Sequence, residues 1–310
     1  MRALVTGATG FVGGRLVDAL ASGGVDVRCM VRDAGSERAR ELADAGHELY
    51  EGDVLAPDSL RGAGRDVDIA YYLIHSMGGG DGDFEERERR AARAFASMAS
   101  GEDVGRVAYL GGLGEEPGSR HLRSRHETAL ILGENGPPLT YFRAAMVVGA
   151  QSESYRTLRY LVQRLPAMIA PAWLKTPTQP IGVDDVVAYL SQAPDVPLSA
   201  GREVQIGGPD VLSYGEMLDV MADALGKRRR PKVPVPFLTP ALSSLWIGLV
   251  TPVDAGVARP LVEGLSTPTV VTDPSGARLF DVEPMSIEQA LRCAVKDDLG
   301  DAAPPSSVPA

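Results

Sequence analysis

Cysteine is nearly missing from this chain: Cys29 and Cys293 are the two thiols in 310 residues. Thiols so far apart in sequence build neither a disulfide framework nor a metal cluster, and no His, Cys and Asp grouping has metal-ligand spacing. Cys29 lies inside an apolar strand pattern and is expected as a buried free thiol. A Gly-x-Ser-x-Gly elbow is also lacking, which removes the sequence support for a hydrolase. No apolar run approaches the roughly 18 residues of a membrane-spanning helix. Positive charge is short as well. The formal net charge is −10, and a surface of that sign repels phosphate backbones and anionic lipid. Nucleic acid is therefore not an expected partner, and Arg228–Arg230 is the one compact basic stretch. The chain opens Met1-Arg2-Ala3-Leu4-Val5-Thr6-Gly7, directly into a strand and a glycine turn with no leader pattern before it. A cytoplasmic location is the expectation.

What is present is ordinary globular composition, 44% hydrophobic and 23% charged, in a chain long enough for a large α/β domain with a smaller lobe. Over residues 1–150 apolar runs at Arg2–Thr6, Val27–Val31, Glu48–Tyr50, Ile69–Ile74, Val107–Leu110 and Leu139–Phe142 alternate with helical patterns. The helices are expected at Phe11–Leu20, about Ser36–Ala45, Phe84–Ala99 and Leu122–Leu132. Strands alternating with helices imply βαβ units, hence a doubly wound parallel sheet with helices on both faces. After Gly149 the strands shorten and prolines multiply. Residues 151–300 read as a smaller C-terminal α/β lobe interleaved with the sheet, for substrate or partner, and Asp301–Ala310 as a disordered tail. In that lobe Val183–Leu190 reads as a helix capped by Asp184 or Asp185, and Ser213 with Glu216 as a capping box. The charge run Glu85–Arg90 reads as a solvated helix face. The apolar stretch Phe237–Val250 has three readings: lobe core, the wall of a pocket for an apolar substrate, or a contact surface.

The most informative segment is Gly7-Ala8-Thr9-Gly10-Phe11-Val12-Gly13, a GxxGxxG pattern between a strand and an amphipathic helix. Gly7 permits the tight turn, Gly10 lets backbone N–H groups approach a pyrophosphate, and Gly13 allows close helix–strand packing. The helix N-terminus adds about half a positive charge. The expected ligand is a nicotinamide dinucleotide held by the amides of Thr9–Val12. The second strand ends Met30-Val31-Arg32-Asp33, and an arginine at that place pairs with a 2′-phosphate where an acid would bind a ribose diol. NADPH is therefore expected over NADH. Asp33 turned inward would reverse the preference.

The turn resembles that of extended and atypical short-chain dehydrogenase/reductases, and the likeness runs along most of the chain. Gly52-Asp53-Val54 resembles the segment that touches the adenine, and Ala70–Met77, with Ile74 and His75, the fourth strand and the loop that lines the cofactor. Arg143–Gly149 looks like the sixth strand and the loop that reaches the nicotinamide. Gln179-Pro180-Ile181-Gly182-Val183-Asp184-Asp185-Val186 is similar to a stretch of the extended and NmrA-like branches. The chain also resembles the NAD(P)H-binding, nucleoside-diphosphate-sugar-epimerase-like proteins of bacteria. The departures matter more. Where the superfamily carries Tyr-x-x-x-Lys, this chain reads His121-Leu122-Arg123-Ser124-Arg125, and where a serine ends the fifth strand it has Gly111-Gly112. His121 and Arg125, one helical turn apart, can share a face. His121 is either a substitute proton donor or a structural residue, and Arg125 is a candidate to hold the ribose in place of lysine. Two function classes stay open. One is an NADPH-dependent oxidoreductase or epimerase-like enzyme on a small, apolar or other, substrate. The other is a non-catalytic NADP(H) sensor or accessory subunit, acting as a homodimer or through a protein partner.

Overall fold

The computed structural model describes residues 1–74, 84–114, 119–165, 167–234 and 265–301. The named strands are β1 (Arg2–Thr6), β2 (Asp26–Val31), β3 (Glu48–Glu51), β4 (Ile69–Tyr72), β5 (Val107–Gly112), β6 (Leu139–Ala144) and β7 (Arg202–Ile206). The α-helices are α1 (Phe11–Ser22), α2 (Glu37–Asp44), α3 (Phe84–Gly101), α4 (Arg120–Asn135), α5 (Glu153–Arg164), α6 (Val183–Gln192), α7 (Tyr214–Ala224) and α8 (Ile287–Asp301). The chain forms two compact units. The first takes Met1–Ala144, Asp184–Ile206 and Val271–Glu283; the second takes the described parts of Ala145–Val183, Gly207–Val270 and Pro284–Ala310.

In the first unit seven parallel strands lie in the order β7-β6-β5-β4-β1-β2-β3. This is the doubly wound, Rossmann-like sheet expected from the alternation of strand and helix. The order reverses at β1, which pairs with both β2 and β4, and a crevice for ligands opens beyond the carboxyl ends of strands at such a point. Alternating side chains cover both faces. Tyr72 belongs to a cluster with Phe95 and Ala92 of α3 and Leu132 of α4, and its ring lies 4.9 Å from that of Phe95. Its neighbour Tyr71 points the other way, and its hydroxyl donates to the Leu190 carbonyl of α6 at 3.0 Å.

Two features of this unit depart from the sequence reading. The charge run on α3 is not simply solvated: Glu88 is buried, Arg89 pairs with Glu127 of α4 at 2.6 Å, and Arg120 of α4 pairs with Glu85 at 3.0 Å. Arg28, inside a strand, is buried. Its Nε donates to Glu48 at 2.9 Å, and its Nη1 donates to the carbonyls of Gly62, Ala63 and Arg65 at 3.2, 2.9 and 3.1 Å. Replacing it removes the donor to three carbonyls of one turn. Arg28→Met is expected to lower unfolding free energy by about 3 kcal/mol, read from urea melts. An unchanged midpoint would contradict this account.

The second unit has its own core, with Tyr155, Leu158, Leu161, Trp173, Tyr214, Met217 and Leu291 drawn from α5, α7, α8 and one short turn. Its strands are short: Val147–Val148 pairs with Ile181–Gly182, Pro177–Thr178 with Leu212–Ser213, and Met168–Ala170 with Lys232–Pro234. The expected capping box is present, the Ser213 hydroxyl and Glu216 carboxylate each accepting from the other residue's backbone N–H. Asp184 and Asp185 fall in the first turn of α6 and not at its cap. Two residues of the basic stretch are engaged, Arg229 with Asp223 at 2.7 Å and Arg230 with the Val162 carbonyl at 3.1 Å, and nearby Lys232 pairs with Asp219 at 2.6 Å. Asp301 ends α8; residues 302–310 and the apolar stretch Phe237–Val250 lie outside the described residues. Among the described residues no helix is long and apolar enough to cross a membrane.

Candidate functional site

The site begins where β1 stops. Gly7 has φ +66°, a conformation that side chains strain, and a Cβ built on it would lie 2.9 Å from the Leu73 carbonyl oxygen beyond β4. The turn closes with the Gly10 N–H donating to the Gly7 carbonyl at 2.8 Å. A Cβ on Gly13 would sit only 2.1 Å from that same carbonyl oxygen, so α1 packs against the turn as closely as a backbone can. Thr6 ties the two central strands together, its hydroxyl donating to the Tyr71 carbonyl at 2.9 Å and accepting from Leu73 N–H at 3.1 Å. Gly10, the N-cap of α1, brings no side chain to cap the helix. The first amides of α1, on Phe11, Val12 and Gly13, have no intrahelical acceptor and are positioned for an anion. This glycine cradle, which a methyl group would fill, fits a pyrophosphate.

The adenosine-side candidates follow. Arg32 is exposed, and none of the described hydrogen bonds or ion pairs engages it. Asp33 is exposed, and its Oδ1 accepts from Gly35 N–H at 2.8 Å within its own turn. Arg38, in the first turn of α2, is a residue the sequence reading missed. Its Nη1 donates to the Thr9 carbonyl at 2.8 Å, which fixes a second guanidinium beside the glycine turn. A basic residue in the helix after the second strand was the available signal. Asp53 folds back on its own loop, accepting from Leu55 N–H at 2.9 Å, while Val54 is buried in the core below α3 and Ile74 packs partly buried against it. His75 lies outside the described residues.

On the other side of the crevice, α4 carries the place of Tyr-x-x-x-Lys. Ser119 caps it by accepting from Leu122 N–H at 3.3 Å, so His121 stands in the first turn. The imidazole is half-buried and stacks near Phe84, with centroids 6.4 Å apart. Burial first, and the Arg125 charge second, pull its pKa down to about 3. At neutral pH the ring is uncharged and has no imidazolium proton to give. Arg125 is buried; its Nη2 donates to the Leu110 carbonyl of β5 at 2.9 Å, and its guanidinium carbon lies 6.0 Å from the Tyr109 ring centre. That bond spends part of the guanidinium on fastening α4 to the sheet. Glycines stand at the serine place for a packing reason: a Cβ on Gly111 would be 2.5 Å from the Tyr141 ring, and one on Gly112 would be 2.6 Å from Leu122 Cδ2. Arg143, which the strand pattern gave no reason to single out, holds the next loop by donating to the carbonyls of Gly112, at 3.1 Å, and Gly114.

The low histidine pKa has a stability consequence. A histidine whose folded pKa lies below its unfolded value stabilises the fold fully above about pH 6.5, and that contribution falls as protons bind the unfolded chain at lower pH. Between pH 6.5 and 5 the wild type is expected to lose about 1–2 kcal/mol more than His121→Gln, measured by urea melts at both pH values. Equal losses would show that the imidazole titrates normally.

The model of the NmrA-like family matches residues 1–239. The chain belongs to the NmrA-like family. Among curated relatives, this NmrA-like protein is 27% identical over 290 residues to the mitochondrial NADH dehydrogenase [ubiquinone] 1 alpha subcomplex subunit 9 of Arabidopsis thaliana, covering 87% of this chain and 71% of that one. Its fold matches the triphenylmethane reductase of a Citrobacter species complexed with NADP(H), with TM-score 0.72, 17% identity, and coverage of 95% and 100% of the two chains. It also matches an NADPH-dependent quinone oxidoreductase of Escherichia coli complexed with NADPH, with TM-score 0.72, 16% identity, and coverage of 94% and 98%. The fold shared with these two neighbours, each of which holds a nicotinamide dinucleotide, is the fold read from the glycine turn and the alternation of strand and helix.

Proposed function

We propose that this NmrA-like protein binds NADPH in preference to NADH and reduces a small electron-poor acceptor of the quinone or conjugated-cation kind. The observation that carries the reading is the Tyr-x-x-x-Lys place, where a half-buried His121 stacks near Phe84 with its pKa held low, and Arg125 is spent in part on the Leu110 carbonyl. When bound, the cofactor supplies a hydride. Reducing a ketone or aldehyde leaves an alkoxide, a strong base that needs a positioned acid. A quinone gives a hydroquinone anion, a far weaker base that takes its proton from water, and a conjugated cation needs no proton. A sugar epimerase needs the missing acid–base set in the same way as a ketone reductase. In this reading Gly7, Thr9, Gly10, Phe11, Val12 and Gly13 hold the pyrophosphate, and Arg32 with Arg38 holds the 2′-phosphate. Asp53, the Val54 backbone and Ile74 border the adenosine, and Arg143 sets the loop after β5. His121 and Arg125 shape the site without transferring a proton. The triphenylmethane dye and quinone named for the two structural neighbours belong to the same acceptor class, which supports the choice.

The test is NADPH oxidation by the purified chain with menadione, a triphenylmethane dye and benzaldehyde as acceptors. The expected result is turnover with the first two that slows when the transferred hydrogen is deuterium, and none with benzaldehyde. Turnover with benzaldehyde, lost in His121→Gln, would restore the proton-donor role. The same missing acid also favours a second reading, a non-catalytic NADP(H) sensor or accessory subunit. Tight NADPH binding with no oxidation by any acceptor is its signature.

A further inference from the structure

A second concavity lies on the flank of the first unit, between the turn Pro57–Leu60 and α3, with a cavity volume of about 580 Å³. That volume is in the range of small-molecule sites. Its floor is apolar. Val54, Leu60 and Met98 are core residues that form part of the lining, and Leu55 beside them is 37% exposed, a large side chain left in water. Its rim is cationic, formed by Arg61, Arg90 and Arg93. Arg61 pairs with Asp58 at 2.8 Å and Arg93 reaches Glu86 only at 4.0 Å, both on the surface, where such pairs bind weakly. Arg90 is exposed, and none of the described hydrogen bonds or ion pairs engages it. Glu102, the one acid in the lining, is turned to the backbone: its carboxylate accepts from the N–H groups of Gly62 and, at 2.6 Å, Gly64. The rim therefore carries three guanidiniums over an apolar floor, and Arg90 is the one among them with no described ion pair, in a chain whose net charge is −10.

We propose that this groove binds an anionic amphiphile, a medium-chain fatty-acid carboxylate. The alkyl chain lies along Val54, Leu55 and Met98, where burial of apolar surface drives binding. The carboxylate pairs with the guanidinium of Arg90, a geometry that favours two parallel hydrogen bonds. A neutral alcohol of equal length has the apolar contact without the ion pair, so charge sets the selectivity.

The experiment uses the full chain at saturating NADPH, with a dansyl-labelled undecanoate as the fluorescent probe and unlabelled laurate as the competitor. One saturable site is expected, with laurate displacing the probe and dodecanol about tenfold weaker. Arg90→Glu is expected to weaken laurate by about tenfold or more. Ser97→Trp, which puts an indole into the groove from an exposed position of α3, is expected to abolish binding. Circular dichroism melts check that both variants fold. Should Ser97→Trp fail that check, Leu55→Glu places a negative charge on the floor and is expected to give the same loss. Absence of a saturable site would overturn the proposal. So would laurate no tighter than dodecanol, or affinity unmoved by Arg90→Glu together with either floor variant. Displacement of the probe by NADPH would likewise sink it, because the groove would then be part of the dinucleotide site.

Discussion

Gly13→Ala is expected to raise the Kd for NADPH by about a hundredfold, whereas Gly14→Ala leaves it within about twofold. The two positions are neighbours on α1 and receive the same methyl group, so helix propensity favours both substitutions by up to about 1 kcal/mol. What differs is the space. On Gly13 the new Cβ would stand 2.1 Å from the Gly7 carbonyl oxygen and 2.8 Å from its carbon, both backbone atoms that cannot rotate away. On Gly14 the nearest atom is the Ala8 carbonyl oxygen at 3.4 Å, an ordinary contact. To admit the first methyl, α1 must withdraw from the end of β1 by about 1 Å, since packed interiors have no slack at that scale. The amides of Phe11 and Val12 move with it, away from the phosphates they are placed to meet. The overpacking itself is expected to cost about 1–3 kcal/mol of stability, which the propensity gain offsets only in part. Titration of NADPH fluorescence and urea melts on both variants read the two effects separately. Wild-type affinity in Gly13→Ala would show that the dinucleotide, if bound, does not use this turn.

The parallel sheet was legible in the sequence because its signals are local. Arg2–Thr6 is an unbroken apolar run stopped by a glycine, and the structure ends β1 at the same residue. The capping box at Ser213 and Glu216 follows from two residues three apart, and it too appears as read. What stayed hidden depends on residues brought together from different elements. Arg28 falls inside the run Val27–Val31 with no local sign of its role, since its three carbonyl partners sit more than thirty positions away. The state of His121 is set by Phe84 on one helix and Arg125 one turn along its own, and the burial they share has no signature in His-x-x-x-Arg. The glycines at the serine place read as a lost catalytic group. The structure adds that a side chain has no room at Gly111, where the Tyr141 ring from the neighbouring strand would lie 2.5 Å from a Cβ. Arg38 was overlooked because its role depends on where α2 starts relative to the glycine turn, which spacing alone does not fix.

Replacing Arg32 and Arg38 together by alanine is expected to weaken NADPH by about a hundredfold and NADH by less than about threefold. The difference between the two cofactors is one phosphate of nearly two negative charges, so only contacts to that group separate them. Arg32 carries a guanidinium with none of the described bonds on it, just past the end of β2, where the proposed reading puts the ribose. Arg38 is held at the Thr9 carbonyl through one nitrogen, which leaves the other donors of its planar group for an anion. Each charge-assisted contact at an exposed position contributes about 1–1.5 kcal/mol, and two of them give the expected factor. The Oδ1 of Asp33 accepts from Gly35 N–H, and its carboxylate keeps one negative charge against the two guanidiniums. Exposed charges are screened by salt, and the preference of the wild type for NADPH should therefore narrow as salt rises while the double variant stays flat. Equal loss of both cofactors in the double variant would mean that the arginines shape the turn instead of reading the phosphate. Tighter NADH than NADPH in the wild type would remove the preference itself.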